Sequence, residues 1–188
     1  MCTRKDIRLK NYPYHSFGPY FITICTHNRQ KLFGRIQADE FVYHNEDLRI
    51  LFDNTYKELE DEFNGIYFNI FCTMPDHVHF IVTNNTDGKV HLNDIVKKFK
   101  VIISKGYNDL VRQNKLPAYR EKLWQRNYYY HIIRNDKQLE DCYNYIVNNP
   151  KAASFKILLE KWNREAEIGK QKLKQRERKR KLEEGKNK

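Results

Sequence analysis

The feature that most constrains the fold is the run over residues 72–82, in which one apolar residue separates two histidines. Alternate side chains of a strand share a face, so a strand here would place His77 and His79 on one face and Val78 and Phe80 on the other. The apolar face can join a core. The histidine face either binds a metal ion or lines the solvated side of a sheet.

The stretches around this run alternate between strand and helix patterns. Runs rich in β-branched and aromatic residues predict strands over residues 20–26, 66–73, 77–82 and 128–134. Apolar residues at three- and four-residue steps predict helices over residues 41–63, 92–110 and 135–149. Asn135 would cap the last helix and Pro150 would stop it. This order predicts an α+β, ferredoxin-like sandwich with a central antiparallel β-sheet.

The strand over residues 66–73 is expected to alternate regularly. Phe68 and Ile70 would then lie on one face, and Tyr67 and Phe71 on the other. A short turn would join this strand to the histidine strand in a hairpin. If Tyr67 and Phe71 face solvent together, they would stack on bases, as in an RNA-binding ferredoxin-like module.

The charge balance indicates a polyanionic partner. Lys and Arg number 35 against 24 Asp and Glu, which gives a net charge of +11 and a pI near 9.4. Thirteen tyrosines and 11 phenylalanines add stacking surfaces among these cations. Nucleic acid is the expected partner. A basic protein without a nucleic-acid partner has the same composition.

Basic segments also divide the chain. We predict an irregular arm over residues 1–19, a catalytic domain over residues 20–152 and a helical or disordered tail over residues 153–188. Within the tail, residues 161–188 hold 12 Lys or Arg and 5 Asp or Glu, a net +7. The candidate nucleic-acid contacts in the arm and in the loop at 114–127 are Arg4, Lys5, Arg8, Lys10, Tyr119, Arg120, Lys122, Trp124 and Arg126. Trp124 is explained equally well as a core residue.

The cysteines and the apolar runs bear on the compartment. The four cysteines are scattered without a C-x-x-C pair, which argues against a disulfide framework and a four-thiolate zinc site. No stretch approaches the roughly 18 consecutive apolar residues of a membrane span. We expect a cytoplasmic, nucleoid-associated protein with no membrane partner.

Two residues of the last predicted helix extend the histidine pair into a candidate reactive centre. A metal held by two imidazoles needs at least one more ligand, and phosphoryl transfer needs a nucleophile. Tyr145 and Asn149 are four residues apart and would lie one turn from each other on one flank of the helix. If that flank faces His77 and His79, the Asn149 amide completes the metal site and the Tyr145 phenol reaches a phosphate.

These motifs resemble a known family. The stretch from Met74 to His79, Met-Pro-Asp-His-Val-His, is similar to the His-hydrophobic-His motif of the HUH single-tyrosine transposases. The stretch from Tyr145 to Pro150, Tyr-Ile-Val-Asn-Asn-Pro, resembles their tyrosine helix in its REP-associated form. Supporting similarities lie at residues 20–26, 32–34, 124–126 and 130–134, so the resemblance covers roughly residues 18–152.

The resemblance implies a metal-dependent transposase that cleaves and rejoins hairpin-associated single-stranded DNA through a 5′-phosphotyrosine. It assigns His77, His79 and Asn149 as ligands of Mg²⁺ or Mn²⁺ and Tyr145 as the nucleophile, in a monomer or a homodimer. Many relatives carry an acid at Tyr130, and the resulting run of three tyrosines, residues 128–130, offers other nucleophiles. His131 is either a group behind the metal ligands or a structural histidine. A non-catalytic, domesticated binder of hairpin DNA or RNA is the alternative function.

Overall fold

The computed structural model describes residues 18–149 of the chain. Those residues form six strands and three α-helices, together with a 3₁₀ turn at His27–Arg29. In chain order they are β1 (Gly18–Cys25), β2 (Gly34–Gln37), β3 (Glu40–Tyr43), α1 (Glu46–Glu62), β4 (Ile66–Met74), β5 (His77–Asn84), α2 (Leu92–Arg112), β6 (Tyr129–Ile132) and α3 (Asp136–Val147). Residues 1–17 of the predicted arm, with the proposed contacts Arg4, Lys5, Arg8 and Lys10, and the whole predicted tail lie outside the described residues. Gly18 and Pro19, the last residues of the predicted arm, begin β1.

Four strands form the central sheet, in the order β4-β5-β1-β6, and every neighbouring pair is antiparallel. This is the strand order of a ferredoxin-like sandwich, so the predicted fold class is confirmed. The register places Thr23 opposite His79 and Cys25 opposite His77. Since paired residues of antiparallel strands share a face, the residues flanking each histidine follow directly from this register.

The main core lies between the sheet and the two long helices. Phe52 of α1 and Phe99 of α2 pack with ring centroids 6.2 Å apart, and Phe99 packs 5.6 Å from Phe80 of β5. All three side chains are fully buried. Helix α3 packs against β4 and β5 on the opposite side of the sheet. We call this second face, which carries His77 and His79, the imidazole face.

The sequence interpretation missed the hairpin formed by β2 and β3 and began the first helix too early. Residues 40–43 form β3, after a tight turn in which Ala38 and Asp39 have φ of 49° and 62°. Helix α1 begins only after Asn45, whose side chain accepts a hydrogen bond from the N–H of Leu48. Although Phe41 lies at a helical spacing of seven residues from Leu48, the N-cap at Asn45 fixes the start of the helix after it.

A bulge corrects the predicted alternation of β4. The pairing with β5 shifts between Phe68 and Ile70, so that Phe71 returns to the face of Phe68. Phe71 stacks on Tyr56 of α1 with ring centroids 3.8 Å apart. Tyr67 and Phe71 therefore lie on different faces, and the two-ring platform required for the RNA-binding alternative is not formed.

Helix α3 begins as predicted but ends early. Oδ1 of Asn135 accepts a hydrogen bond from the N–H of Gln138, whose side chain in turn accepts one from the N–H of Arg134. The helix ends at Val147, with Asn148 as its C-cap. The prediction that the helix includes Asn149 is therefore wrong. Within residues 18–149 no helix is long and apolar enough to cross a membrane.

Candidate active site

The two histidines of β5 lie side by side on the imidazole face. Their ring centroids are 4.6 Å apart and the ring planes are nearly perpendicular, at 80°. Val78 and Phe80 are completely buried on the opposite, core-facing side. The predicted division of this strand into an apolar face and a histidine face is thus confirmed, and the core packing of the apolar face holds the histidines in place.

His79 occupies a buried position between a hydroxyl and an aromatic ring. Only 2% of the residue is exposed, its Nδ1 lies 2.8 Å from Oγ1 of Thr23, and its ring stacks on Phe21 at 5.3 Å. Burial, reinforced by the charges of His77 and Arg29, holds the pKa of His79 well below its usual range. The ring is therefore neutral at neutral pH, which is the form that ligates a metal.

His77 is held by a carboxylate instead. Its Nδ1 lies 2.6 Å from Oδ1 of Asp76, and the other carboxylate oxygen of Asp76 lies 2.9 Å from Nε of Arg29. Burial alone would raise the pKa of Asp76, but the hydrogen bond with His77 and the charges of His77 and Arg29 hold that pKa below its usual value. Asp76 is therefore ionised at neutral pH and accepts hydrogen bonds from both neighbours.

Tyr145 reaches this pair from α3. Cys142 and Ile146, both buried, anchor one side of the helix against the sheet. The phenol oxygen of Tyr145 consequently lies 3.5 Å from Nε2 of His79, and its ring packs edge-on against Phe21 at 5.9 Å. The structure therefore brings together His77, His79 and Tyr145, three of the four residues named from the sequence.

Asn149 lies two residues beyond α3 and not on it. It is 5% exposed, and its backbone N–H donates to the carbonyl of Ile146 at 3.2 Å. Among the described residues its side-chain nitrogen finds no hydrogen-bond partner. A buried amide with unused hydrogen-bonding capacity is costly, so this side chain has capacity for a partner that the described protein groups do not supply.

The donor set suits a divalent metal ion, although protein groups alone do not complete a site. Within residues 18–149 no three His, Cys, Asp or Glu side chains are grouped as metal ligands. His77 and His79 each have Nδ1 in contact with a neighbouring side chain, so Nε2 is the nitrogen of each ring that could coordinate a metal ion. Two imidazoles fit Mg²⁺ or Mn²⁺ only with oxygen donors such as the Asn149 amide or a DNA phosphate.

The three consecutive tyrosines at residues 128–130 lie on two different faces of the sheet. Tyr128 and Tyr130 pack against the main core, on the side away from the histidines, and the Tyr128 hydroxyl donates to Oδ1 of Asn93 at 2.7 Å. Tyr129 lies opposite Thr23, on the imidazole face. Burial, with a smaller contribution from Cys142, raises the pKa of Tyr129 to about 12, which makes its phenolate harder to form. The phenol of Tyr145, by contrast, lies 3.5 Å from Nε2 of His79.

His131 also lies on the imidazole face, on the edge strand β6. It pairs with Phe21, one strand further from β5. Burial lowers the pKa of His131 to about 4, although its hydrogen bond with Gln138 acts in the opposite direction. The contact with Gln138 ties the residue to the start of α3, as expected of a structural histidine.

The basic loop borders the same end of the sheet. The N–H of Gln125 donates to the carbonyl of Cys25, and the N–H of His27 donates to the carbonyl of Leu123, both at 2.9 Å. Since Cys25 pairs with His77, these bonds fix the loop beside the histidine pair. The loop cations named from the sequence are exposed: Arg120, Lys122 and Arg126.

The two aromatic residues of the basic loop do not form the stacking surface that the sequence predicted. Trp124 is 6% exposed and packs 5.2 Å from Phe33, so it is the core residue of the second interpretation. Tyr119 is half-buried and packs 5.9 Å from Tyr107. The burial of Trp124 excludes the open ring face that base stacking requires.

Sequence reasoning did not identify the residues that hold the histidines. Asp76 falls in the short turn predicted between the strands over residues 66–73 and 77–82, although its position next to His77 is a usable signal. Thr23 and Arg29 are remote in sequence from the histidines, and only the strand register reveals them. Nothing in the sequence distinguishes Phe21, which stacks on His79, from the other aromatic residues of the predicted strands.

The chain belongs to the IS200-like transposase family, because the model of that family matches residues 18–149. An uncharacterized protein of Haemophilus influenzae strain Rd is 34% identical over 167 residues, which cover 78% of this chain and 88% of that protein. A second protein of that strain, provisionally named a REP-associated tyrosine transposase, is 26% identical over 149 residues, 77% of each chain. The resemblance seen in the sequence is thereby confirmed.

The fold comparison agrees with the family. A solved structure of a REP-associated tyrosine transposase bound to a REP hairpin matches with a TM-score of 0.52 at 19% identity, over 76% of this chain and 72% of that one. At this identity the match shows a shared fold. Membership of the family places the chain among DNA-cleaving and rejoining enzymes, which are generally metal-dependent.

Proposed function

We propose that this protein is a metal-dependent endonuclease and strand transferase acting on hairpin-associated single-stranded DNA, with Tyr145 as its nucleophile. The observation that carries the proposal is the 3.5 Å approach of the Tyr145 phenol to Nε2 of His79, beside a second imidazole. A buried, neutral His79, the neighbouring imidazole of His77 and a phenol meet here on the face of the sheet opposite the main core. Helices α1 and α2 pack against one face of the sheet and form the main core, whereas α3 lies on the other face and carries the Tyr145 phenol.

The chemistry follows from the groups present. The Tyr145 hydroxyl gives up its proton to solvent and its oxygen attacks phosphorus; the new P–O bond replaces the bond to the 3′ oxygen, which takes up a proton from solvent and leaves as a 3′-hydroxyl. The product is a 5′-phosphotyrosine that retains a high-energy ester for rejoining. A phenol with an ordinary pKa near 10 is a weak nucleophile, so a bound Mg²⁺ or Mn²⁺ would supply the polarisation of the phosphate that it needs.

His77, His79 and Asn149 are the proposed ligands of that ion. The two imidazoles present Nε2 because their Nδ1 atoms are engaged, and Asn149 would coordinate through its side-chain oxygen, whereas its side-chain nitrogen can only donate a hydrogen bond. The mixed nitrogen and oxygen donors favour Mn²⁺ over Mg²⁺ in affinity, since Mn²⁺ tolerates imidazole better.

The DNA would approach along the basic loop. Arg120, Lys122 and Arg126 are exposed on a segment whose backbone is bonded to the end of β1, directly beside the strand of His77. Cations in this position can hold the phosphates that flank the reacting one. Hairpin preference is supported by the solved REP-associated tyrosine transposase, which is bound to a REP hairpin.

A covalent-adduct assay tests this function. Protein is incubated with Mn²⁺ and 3′-labelled single-stranded DNA carrying a hairpin, and the products are separated on a denaturing gel. We expect a slowly migrating labelled adduct that disappears with EDTA and in Tyr145→Phe. Tyr143→Phe, an exposed tyrosine two residues earlier on the same helix, is the matched control and should retain the adduct. An adduct that persists in Tyr145→Phe but is lost in Tyr129→Phe would reassign the nucleophile.

If no hairpin yields an adduct while the DNA is bound tightly without metal, the non-catalytic binder is the correct function.

A further inference from the structure

The turn that follows β1 holds two residues in an unusual backbone conformation. Asn28 and Arg29 have φ of 53° and 56°, in the left-handed region that residues with side chains rarely adopt. Several bonds fix the turn nevertheless. Oγ1 of Thr26 donates to the carbonyls of Gln30 and Asp76 at 2.8 and 3.0 Å, and Nε2 of Gln30 donates to the carbonyl of His27 at 2.9 Å.

The result of this strained geometry is the placement of one guanidinium. Nε of Arg29 donates to Oδ2 of Asp76 at 2.9 Å, while Nη1 lies 2.8 Å from Sγ of Cys25. The second oxygen of Asp76 lies 2.6 Å from Nδ1 of His77. Arg29, Asp76 and His77 thus form a continuous chain of side-chain contacts from the turn to the histidine pair.

Stability alone does not account for this arrangement. The Arg29 side chain is 51% exposed, and an exposed ion pair contributes little to folding. Two consecutive left-handed residues act against stability. Backbone strain of this kind persists at sites where a side chain must be held in one position. Here the contacts of Arg29 with Asp76, and of Asp76 with His77, lead to the imidazole of His77.

An ionised carboxylate can only accept hydrogen bonds, so Nδ1 of His77, which lies 2.6 Å from Oδ1 of Asp76, must carry a proton. Its Nε2 lone pair is then directed away from the carboxylate. A carboxylate behind a metal-ligating histidine is known to select the tautomer and ring orientation in this way. Thr23 does not select the tautomer of His79 in the same manner, because a hydroxyl can donate as well as accept.

We propose that Arg29 and Asp76 are a positioning pair that holds His77 in the Nδ1–H tautomer with Nε2 presented for coordination. The inference rests on the proposed function, in which His77 is a metal ligand. Neither residue touches DNA or metal in this role: Asp76 acts on His77, and Arg29 acts by fixing Asp76.

Nitrogen NMR of the metal-free protein reports the tautomer directly, and titration with Mn²⁺ alone reports affinity. Wild type should show His77 as a single Nδ1–H tautomer. Asp76→Ala should show a mixture and bind Mn²⁺ about 10- to 100-fold more weakly. Asp76→Asn is the matched control, because its amide oxygen still accepts from Nδ1, and it should lose less than about tenfold.

Arg29→Gly separates positioning from folding. Glycine adopts positive φ without strain, so the urea midpoint of this variant should be equal to or above that of wild type. Its Mn²⁺ affinity should nevertheless fall, and Arg29→Lys should restore part of it. A purely structural residue would instead lower the midpoint and the affinity together.

A single Nδ1–H tautomer and unchanged Mn²⁺ affinity in folded Asp76→Ala would overturn the proposal. The tautomer measurement requires neither DNA nor turnover. If wild type binds no Mn²⁺ and forms no DNA adduct, the proposed function fails, while the comparison of tautomers still decides whether Asp76 positions His77.

Discussion

The phenol oxygen of Tyr145 lies 3.5 Å from Nε2 of His79, although 66 residues separate the two in the chain. Neither residue is placed by a local motif. His79 is positioned by the antiparallel pairing of β5 with β1, and Tyr145 by the burial of Cys142 and Ile146 beneath α3. The approach is therefore a property of the complete three-layer fold.

The first prediction separates the chemistry of Tyr145 from its packing. Tyr145→Phe should lower strand cleavage by at least about 10³-fold, as expected when a nucleophile is removed. The remaining ring still packs against Phe21 and His79, so the free energy of unfolding should change by less than about 1 kcal/mol. Cleavage is followed on a gel and stability by urea titration. A large loss of stability in Tyr145→Phe, but not in Tyr143→Phe, would show that the phenol is structural.

The second prediction concerns Thr23. Valine has nearly the same shape but lacks the hydroxyl, so Thr23→Val removes the 2.8 Å contact with Nδ1 of His79. We expect Mn²⁺ affinity to fall about tenfold, because the ring loses the partner that fixes its orientation. Mn²⁺ titration measures the loss, and Thr55→Val, a buried threonine of α1 on the other side of the sheet, is the control. Equal affinities in wild type and Thr23→Val would exclude a role for Thr23.

Much of the site follows from the sequence where local rules determine it. The face of His77 and His79 is fixed by strand alternation, and the start of α3 by the side chain of Asn135. The partners of the histidines follow from no local rule. Thr23 contacts His79 only because β1 and β5 pair in one register, and the contact of Arg29 with Asp76 requires two positive φ angles.

The wrong predictions have local physical causes as well. The bulge at Asn69 adds one residue to β4 with no Gly or Pro to mark it, and it reverses the face of Phe71. Phe41 is seven residues before Leu48, which suits a helix, and two residues before Tyr43, which suits a strand; the turn before Phe41 and the N-cap at Asn45 decide for the strand. Pro150 restricts the conformation of the preceding residue, yet α3 already ends at Val147, which leaves Asn149 outside the helix.

The third prediction is a pH dependence of stability that involves His131. Burial lowers the pKa of this imidazole from 6.5 to about 4, so the unfolded chain binds its proton at a higher pH than the folded protein does. Stability is therefore lost as pH falls from about 6.5 towards 4, and it is unaffected by this group above that window. His131→Gln cannot titrate and should show a shallower decline in its urea midpoint between pH 7 and pH 4.5. Parallel declines in the two proteins would contradict the assignment.

The fourth prediction concerns the basic loop. Each phosphate contact to single-stranded DNA contributes about 0.7 to the slope of log affinity against log salt. Replacing Arg120, Lys122 and Arg126 together by alanine should therefore flatten that slope by up to about 2 and weaken binding of all sequences alike. These side chains are exposed, so the fold should be retained.

The control for this loop variant carries the same change in charge. Lys57, Lys97 and Arg112 are exposed on α1 and α2, the helices that cover the face of the sheet opposite the histidines. Their replacement by alanine also lowers the net charge by three, but it should leave most of the salt slope in place. If both triple variants flatten the slope equally, the protein attracts DNA through its overall charge, and the loop next to His77 does not form the DNA path. If only the loop variant does so, the phosphates that flank the cleavage point lie along residues 120–126.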